Sequence, residues 1–172
     1  MTCLLDSDTL SELSRGHARV TARARDYLVT EGSLTLSAVT VFERLRGYRA
    51  ALAEGKPFER QLRDFQVLAA ACRVLPVDTR VAERAAAYWG LLGARKRRAL
   101  GDILIAATAS VNGLSLVTRN RRDFEPMVKL DSSLRLVDWT RLRAVSAQDC
   151  HQREPEQHDA RCELNSAHGS RS

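Results

Sequence analysis

The sequence offers no cysteine pairing, no membrane span and no leader pattern. Its four cysteines, Cys3, Cys72, Cys150 and Cys162, form no paired framework, which favours free thiols in a reducing compartment. No apolar run approaches the roughly 20 residues of a membrane helix. No basic region followed by an apolar one opens the chain. We therefore expect a cytoplasmic protein without a membrane partner.

Histidine is scarce where a catalytic base would be needed. His17 is the only histidine before the C-terminal region, and it follows a short predicted helix, where it is poorly placed for general base catalysis. The chain has no credible protein nucleophile either. If it catalyses hydrolysis, the attacking group is expected to be a metal-bound water, whose pKa the ion lowers.

The composition is that of a folded domain followed by a different segment. The 172 residues are 44% hydrophobic and 28% charged, and the net charge is +6; this predicts a globular domain with a polyanionic partner, nucleic acid above all. From Ala144 onward there is little apolar periodicity and no aromatic residue. We therefore predict a domain over residues 1–140 and a disordered tail over residues 141–172.

The tail contains residues that could suggest a zinc site. Their spacing matches no common Cys/His signature, and no local core would hold the ligands, so we predict no zinc there. The residues concerned are Cys150, His151, His158, Cys162 and His168.

Short apolar stretches alternate with helical periodicity along residues 1–140. Thr9 to Glu12 has the pattern of a capping box, and Asp78 that of a helix cap. This alternation predicts an α/β fold with a mostly parallel sheet and helices on both faces. The predicted strands are Cys3–Leu5, Leu34–Leu36, Val74–Val77, Leu114–Thr118 and Leu134–Val137.

Four carboxylates lie where predicted strands end or helices begin: Asp6, Glu43, Asp102 and Asp123. In an open α/β sheet, the carboxyl ends of the strands and the adjacent helix starts face one crevice. Four acids there would repel one another unless a cation lay between them, and their hard oxygens favour Mg²⁺ or Mn²⁺. The pattern predicts metal-dependent hydrolysis of a phosphodiester.

Each acid also has a purely structural explanation. Asp6 fits a turn, and Glu43 fits a capping box that begins at Thr40. Asp102 fits a helix cap, and Asp123 fits a polar turn beside two arginines. Only the set favours function, because all four acids occur at the same edge of successive βα units.

Four segments, in order, carry a family resemblance: Leu4–Leu13, Ser37–Gly47, Gly101–Ala109, and Gly113–Asn120 with Asp123 and Phe124. With these segments the chain resembles the PIN-domain nucleases, specifically the VapC-type toxins of bacterial toxin–antitoxin pairs. The resemblance covers about the first four-fifths of the chain. It implies a PIN-like three-layer α/β/α sandwich, a Mg²⁺-dependent endoribonuclease activity, inhibition by a cognate antitoxin, and a homodimer.

The resemblance also assigns roles to residues. The catalytic and metal-binding acids become Asp6, Glu43, Asp102 and Asp123. Asp6 and Asp102 would be the direct ligands of Mg²⁺, or of Mn²⁺ in its place. Independently of the resemblance, the hydroxyl and amide groups of Thr118, Asn120 and Ser7 suit them to orient the water or a phosphate oxygen, although turn and cap roles explain these residues at least as well. We expect the antitoxin to place an apolar helix in a groove around Leu10, Leu13, Val41 and Leu45.

Two features depart from the family pattern. Asp8 occupies a position where the family commonly has Asn, and its carboxylate either strengthens metal binding or contacts a backbone amide. The run Arg95-Lys96-Arg97-Arg98 is unusually basic. It fits either a solvated helix end or an edge that grips phosphate.

Two other functions remain open from the sequence alone. The segment Asp6-Ser7-Asp8-Thr9 is similar to the start of a haloacid-dehalogenase-like phosphatase, in which the first Asp attacks phosphate. The lysine and the second acidic cluster that this fold needs have no convincing counterparts. The non-enzymatic alternative is a basic RNA-binding module whose acids are helix caps; such a module would bind RNA equally well in EDTA and leave it intact.

Overall fold

The computed structural model describes residues 2–93 and 99–141, where five strands alternate with seven helices. The strands are β1 Cys3–Leu5, β2 Thr35–Ser37, β3 Arg73–Leu75, β4 Ser115–Val117 and β5 Arg135–Val137. The helices are α1 Ser7–Ser14, α2 Ala18–Glu31, α3 Ala38–Ala53, α4 Glu59–Ala71, α5 Thr79–Leu91, α6 Leu100–Val111 and α7 Arg121–Leu130. None of these helices is long and apolar enough to cross a membrane.

Several predictions concern residues outside 2–93 and 99–141. The basic run at 95–98 and the predicted tail beyond Arg141 both lie outside the described residues. The proposed boundary between domain and tail, and the prediction of no zinc site in the tail, therefore stay predictions.

The five strands form one sheet in the order β3-β2-β1-β4-β5, and every pairing is parallel. Leu4 is in register with Leu116, and Leu36 with Val74. Parallel neighbours require crossover connections, and the intervening helices supply them. The predicted α/β class with a parallel sheet is confirmed.

Side chains of β1 alternate between two cores, one on each face of the sheet. Leu4 lies in a core with residues of α5, α6 and α7. Cys3 and Leu5 lie in the other core, with residues of α1 to α4. Leu4 and Leu5 are both fully buried. Because adjacent residues of one strand are both buried, helices must cover both faces, which gives the three-layer sandwich.

The start of α1 differs from the prediction. Its N-cap is Asp6, whose backbone is extended and whose side chain accepts from the Ser7 amide. The capping box predicted at Thr9 is wrong, because Thr9 lies inside the helix and donates through Oγ1 to the Val117 carbonyl at 2.9 Å. The cap predicted at Asp78 is confirmed, since its Oδ1 accepts from the Val81 amide at 2.9 Å.

Two further predictions about burial were wrong. The strand expected to be buried over Val74–Val77 is β3, an edge strand that pairs with β2 and leaves Val74 40% exposed. Leu10 cannot line the groove expected around it, because it is fully buried, whereas Leu13, Val41 and Leu45 are partly buried against the same core. These leucines and the valine hold α1 and α3 together. The antitoxin site itself stays a prediction.

A partly buried carboxylate, that of Asp131, joins the helices on one face of the sheet. Asp131 Oδ2 accepts from Tyr88 Oη and Ser110 Oγ, both at 2.6 Å, and from Arg84 Nη1 at 3.0 Å. Its Oδ1 accepts from the amide and hydroxyl of Ser133. Burial alone would raise the pKa of Asp131, but the hydrogen bonds from Ser110, Ser133 and Tyr88 outweigh it and hold the pKa below its ordinary value.

Replacing Asp131 should therefore destabilise the domain in a pH-dependent way. Asp131→Ala should lower the free energy of unfolding by about 3 kcal/mol at pH 7, because it leaves buried donors without their acceptor. A lowered folded-state pKa means that this stabilisation is present above about pH 4 and is lost as the pH falls through the folded-state value. Urea unfolding at neutral and acidic pH measures both effects.

The matched control is Asp64→Ala, which removes an exposed ion pair with Arg60. Its effect should stay within about 0.5 kcal/mol. A loss for Asp131→Ala no larger than that of the control would show that this network does not hold the helices.

Candidate active site

The sheet reverses its strand order between β1 and β4. From β1 the chain proceeds outward to β2 and β3, and from β4 it proceeds outward to β5 on the other side. A crevice opens at the carboxyl ends of the strands at such a reversal, and ligands of open α/β folds bind there. Asp6 directly follows β1 and Thr118 directly follows β4, so both lie at this crevice.

Hydrogen bonds join the two sides of the crevice. The Asp6 amide donates to the Val117 carbonyl at 3.1 Å. Thr118 Oγ1 donates to Asp6 Oδ2 at 3.0 Å, while Asp6 Oδ1 accepts from the Ser7 amide at 2.7 Å. Both oxygens of the Asp6 carboxylate therefore accept a hydrogen bond, one from the residue after Asp6 and the other from the residue that follows β4.

Asp6 is buried among other acids. It is 6% exposed, and burial is the largest cause that raises its pKa to about 7, with the charges of Asp8 and Asp102 adding to the rise. The hydrogen bonds from Ser7 and Thr118 lower the pKa and offset part of that effect. A carboxyl group with this pKa is only partly ionised at neutral pH, unless a cation stabilises its charge.

Glu43 reaches the crevice from α3. Ser37 is the N-cap of that helix and accepts from the Thr40 amide, so the capping-box explanation of Glu43 is wrong. Its Oε2 instead accepts from Ser7 Oγ at 3.0 Å, next to Asp6. A Cβ atom at Gly101 would overlap Glu43 Oε1. Glycine at this position therefore leaves the space that the Glu43 carboxylate occupies.

Asp102 lies in the first turn of α6, whose N-cap is Ala99. It is thus not the helix cap, although an acid in the first turn still complements the helix dipole. Asp102 and Glu43 line one open cleft of about 620 Å³, and the charge of Asp102 acts on Asp6. The structure therefore brings Asp6, Glu43 and Asp102 into one region, from three different elements.

Asp123 is connected to this region through Asn120. It lies in the first turn of α7, and Asn120 Nδ2 donates to Asp123 Oδ2 at 2.6 Å. The Asn120 amide donates in turn to Thr118 Oγ1 at 3.0 Å. The polar turn predicted for Asp123 is thus a helix start, which Asn120 ties to the end of β4.

Asp8 contacts backbone amides, one of the two roles considered for it. Its Oδ2 accepts from the amides of Arg119 and Asn120, at 2.9 and 3.1 Å. Arg119 also forms an ion pair with the buried Glu12, with 2.9 Å between Nη1 and Oε1. Sequence reasoning missed this pair, and only the parallel pairing of β1 with β4 could have indicated it.

His17 lies at the far end of α1 from the crevice. It is the N-cap of α2, and its amide donates to the Glu12 carbonyl. Because α1 begins at the carboxyl edge of the sheet and runs away from it for eight residues, about 12 Å at 1.5 Å per residue, His17 is unsuited to act as a base there.

The donor set suits a hard divalent cation, but the side chains are not gathered as ligands. Among residues 2–93 and 99–141, no group of three or more His, Cys, Asp or Glu is close enough to hold a metal ion. Asp6, Glu43 and Asp123 each accept a hydrogen bond from a neighbouring side chain. The chemistry of the donors therefore fits a cation, provided that these side chains turn toward it.

Comparisons with known proteins agree with this geometry. A model of the PIN domain family matches residues 3–129. Ribonuclease VapC10 of Mycobacterium tuberculosis is 38% identical over 125 residues, which cover 68% of this chain and 81% of that protein.

Solved structures show the same fold. DNA-bound VapBC from Salmonella typhimurium has a TM-score of 0.65 at 26% identity, covering 81% of this chain and 98% of that chain. FitAcB from Neisseria gonorrhoeae has a TM-score of 0.63 at 29% identity, covering 82% and 100%. The chain therefore belongs to the PIN domain family, among the VapC-type ribonuclease toxins.

Proposed function

We propose that this protein is a Mg²⁺-dependent endoribonuclease that cleaves RNA with a metal-activated water and acts as the toxic member of a toxin–antitoxin pair. The observation that supports this most is the grouping of Asp6, Glu43 and Asp102 at the strand-order reversal. A buried acid whose pKa is raised to about 7 beside other acids is expected where a cation is to be bound.

We assign metal binding to Asp6 and Asp102, with Glu43 and Asp123 completing the acidic set. When bound, Mg²⁺ or Mn²⁺ would supply a Lewis acid that lowers the pKa of water and neutralises charge on the transferring phosphate. Ser7 Oγ donates to one oxygen of Glu43, and Asn120 Nδ2 donates to Asp123. These hydroxyl and amide groups orient the acids, which is the auxiliary role that we assign to them.

The partners proposed are RNA, a cognate antitoxin and a second copy of this chain, in the cytoplasm. The support for an antitoxin comes from the relatives, since the matching Salmonella typhimurium structure is a VapBC complex bound to DNA. The support for RNA is the ribonuclease VapC10 of Mycobacterium tuberculosis, together with the net charge of +6. A basic protein attracts a polyanion, which then meets the acidic crevice only where a cation screens it.

The position of Asp8 argues against the phosphatase alternative. A haloacid-dehalogenase-like enzyme would need its second acid free to exchange protons at the phosphate. Here one oxygen of Asp8 accepts from two successive backbone amides, those of Arg119 and Asn120. A carboxylate that accepts from two successive amides in this way holds the loop that follows β4.

RNA cleavage with and without metal tests the proposed function. The purified chain should degrade RNA in Mg²⁺ or Mn²⁺ and stop in EDTA, and Asp102→Asn should abolish cleavage because it removes a ligand charge while keeping the shape. Gel analysis of the products measures this. An exposed matched control, Asp64→Asn on α4, should cleave normally. RNA that is bound equally in EDTA and never cut would favour the non-catalytic binding module instead.

Gly101→Ala should test the placement of Glu43. The new methyl group would overlap Glu43 Oε1, so the flexible carboxylate must move while the backbone stays in place. A displacement of about 1 Å in an active site can reduce the rate about 100-fold, and we expect a loss of that order in the RNA cleavage rate at unchanged melting temperature.

Gly90→Ala on α5 is the matched control, because no atom of residues 2–93 and 99–141 lies within 4 Å of a Cβ atom there. It should leave the cleavage rate unchanged. If Gly101→Ala cleaves RNA as fast as Gly90→Ala, then the carboxylate of Glu43 is not needed where the structure places it.

A further inference from the structure

An aromatic side chain lies exposed beside the acidic crevice. Phe42 directly precedes Glu43 on α3, and it is 59% exposed. A ring of this size normally stabilises a fold by being buried. More than half of the Phe42 side chain stays outside the core and adds nothing to it. The ring is available to a ligand that approaches Glu43.

Two arginines share this face of α3 with Phe42. The Arg46 guanidinium carbon is 5.5 Å from the centre of the Phe42 ring, within the range of a cation–π contact. Arg49 lies one turn further along and lines, with Phe42 and Arg46, a second cavity beside the cleft. The spacing of four and seven residues places all three side chains on one side of the helix.

This face continues into the cleft that contains the predicted acids. Phe42 and Arg46 line the same cleft as Glu43 and Asp102, with Leu100 opposite on α6. Two carboxylates, an aromatic ring and a guanidinium group therefore line one cleft. A ligand that contacts all of them must carry a phosphate and a flat apolar group within about one nucleotide of each other.

We propose that Phe42, Arg46 and Arg49 form a stacking subsite for an unpaired nucleotide of the RNA substrate, next to the phosphate that is cleaved. The base stacks on Phe42, and the arginines contact the flanking phosphates. Proteins that hold single strands combine aromatic platforms with basic grooves in this way. The inference rests on the proposed function, and it adds which side chains hold the nucleotide next to the phosphate that is cleaved.

An RNA occupant fits this face better than a protein segment does. A protein helix would cover the apolar cleft but would leave two arginines to be paired at its edge. A nucleotide satisfies both features at once, because every base has a flat face and every linkage a negative charge. The subsite should accept any of the four bases, since stacking does not depend on the hydrogen-bonding groups of the base.

RNA binding by paired variants tests the subsite. In the full chain carrying Asp102→Asn, and in EDTA, fluorescence anisotropy would measure the affinity for a short labelled oligoadenylate. Adding Phe42→Leu should weaken binding about tenfold, in line with stacking energies measured elsewhere, whereas Phe42→Trp should retain it. Trp89→Leu, which removes an exposed ring on α5 outside the cleft, should have no effect.

An oligomer without bases separates stacking from any other effect of the substitution. Phe42→Leu should not change the affinity for the abasic oligomer, because no ring can stack there. Arg46→Gln should weaken binding to the intact and abasic oligomers alike, since a phosphate contact is independent of the base. The exposed control Arg63→Gln on α4 should weaken neither.

Three results would overturn the proposal. Phe42→Leu could leave binding of the intact oligomer unchanged, or it could weaken binding of both oligomers equally. It could also leave RNA binding intact and shift the sedimentation coefficient, which would assign Phe42 to an interface between protein chains. Failure of metal-dependent cleavage alongside a base-dependent effect of Phe42 would instead reject the proposed function and retain the subsite.

Discussion

Hydrogen bonds between the carboxyl ends of β1 and β4 are the constraint on which the site depends. These two strands pair at the strand-order reversal although they are distant in sequence, and Thr118 at the end of β4 donates to Asp6 at the end of β1. Asp8 makes a second connection, to the amides of Arg119 and Asn120. Without them, the loop that carries Asn120 would have no fixed position relative to Asp6.

This connection has an electrostatic consequence. Holding Asp6 at the bottom of the crevice buries its carboxylate, and burial together with Asp8 and Asp102 raises its pKa to about 7. Ser7, the next residue, donates to Glu43 and so joins that carboxylate to the start of α1. The fold thus concentrates negative charge where solvent is scarce, an arrangement that is unfavourable alone and becomes favourable when a cation is bound.

Local patterns in the sequence were enough to predict the sheet and the positions of the acids along the chain. Short stretches of three to five residues, bounded by turns, predicted the strands, and Asp78 was recognisable as a cap because a cap acts within four residues. The cap at Asp6 was missed in favour of Thr9, because the boundary between β1 and α1 depends on pairing with β4. The edge position of β3 was missed for the same reason, since no local signal states how many neighbours a strand has.

Contacts between distant residues were not predictable. Three such features join elements that are far apart in sequence. They are the space that Gly101 leaves for Glu43, the ion pair of Arg119 with Glu12, and the hydrogen-bond network of Asp131. Each depends on crossover geometry that no single segment encodes. The positions of the acids along the chain could therefore be read from the sequence, whereas the contacts that Ser7, Thr118 and Asn120 make with them required the structure.

Proton release on metal binding tests the central claim most directly. At pH 6.5 the Asp6 carboxyl, with a pKa of about 7, is largely protonated in the absence of metal. A bound cation would lower that pKa and expel the proton, so Mn²⁺ titration calorimetry in buffers of different ionisation enthalpy should show net proton release at pH 6.5. The release should fade as the pH rises above the pKa, and it should be lost in Asp6→Asn. Mn²⁺ binding without proton release in the unmodified chain, or with the same release in Asp6→Asn, would contradict the account.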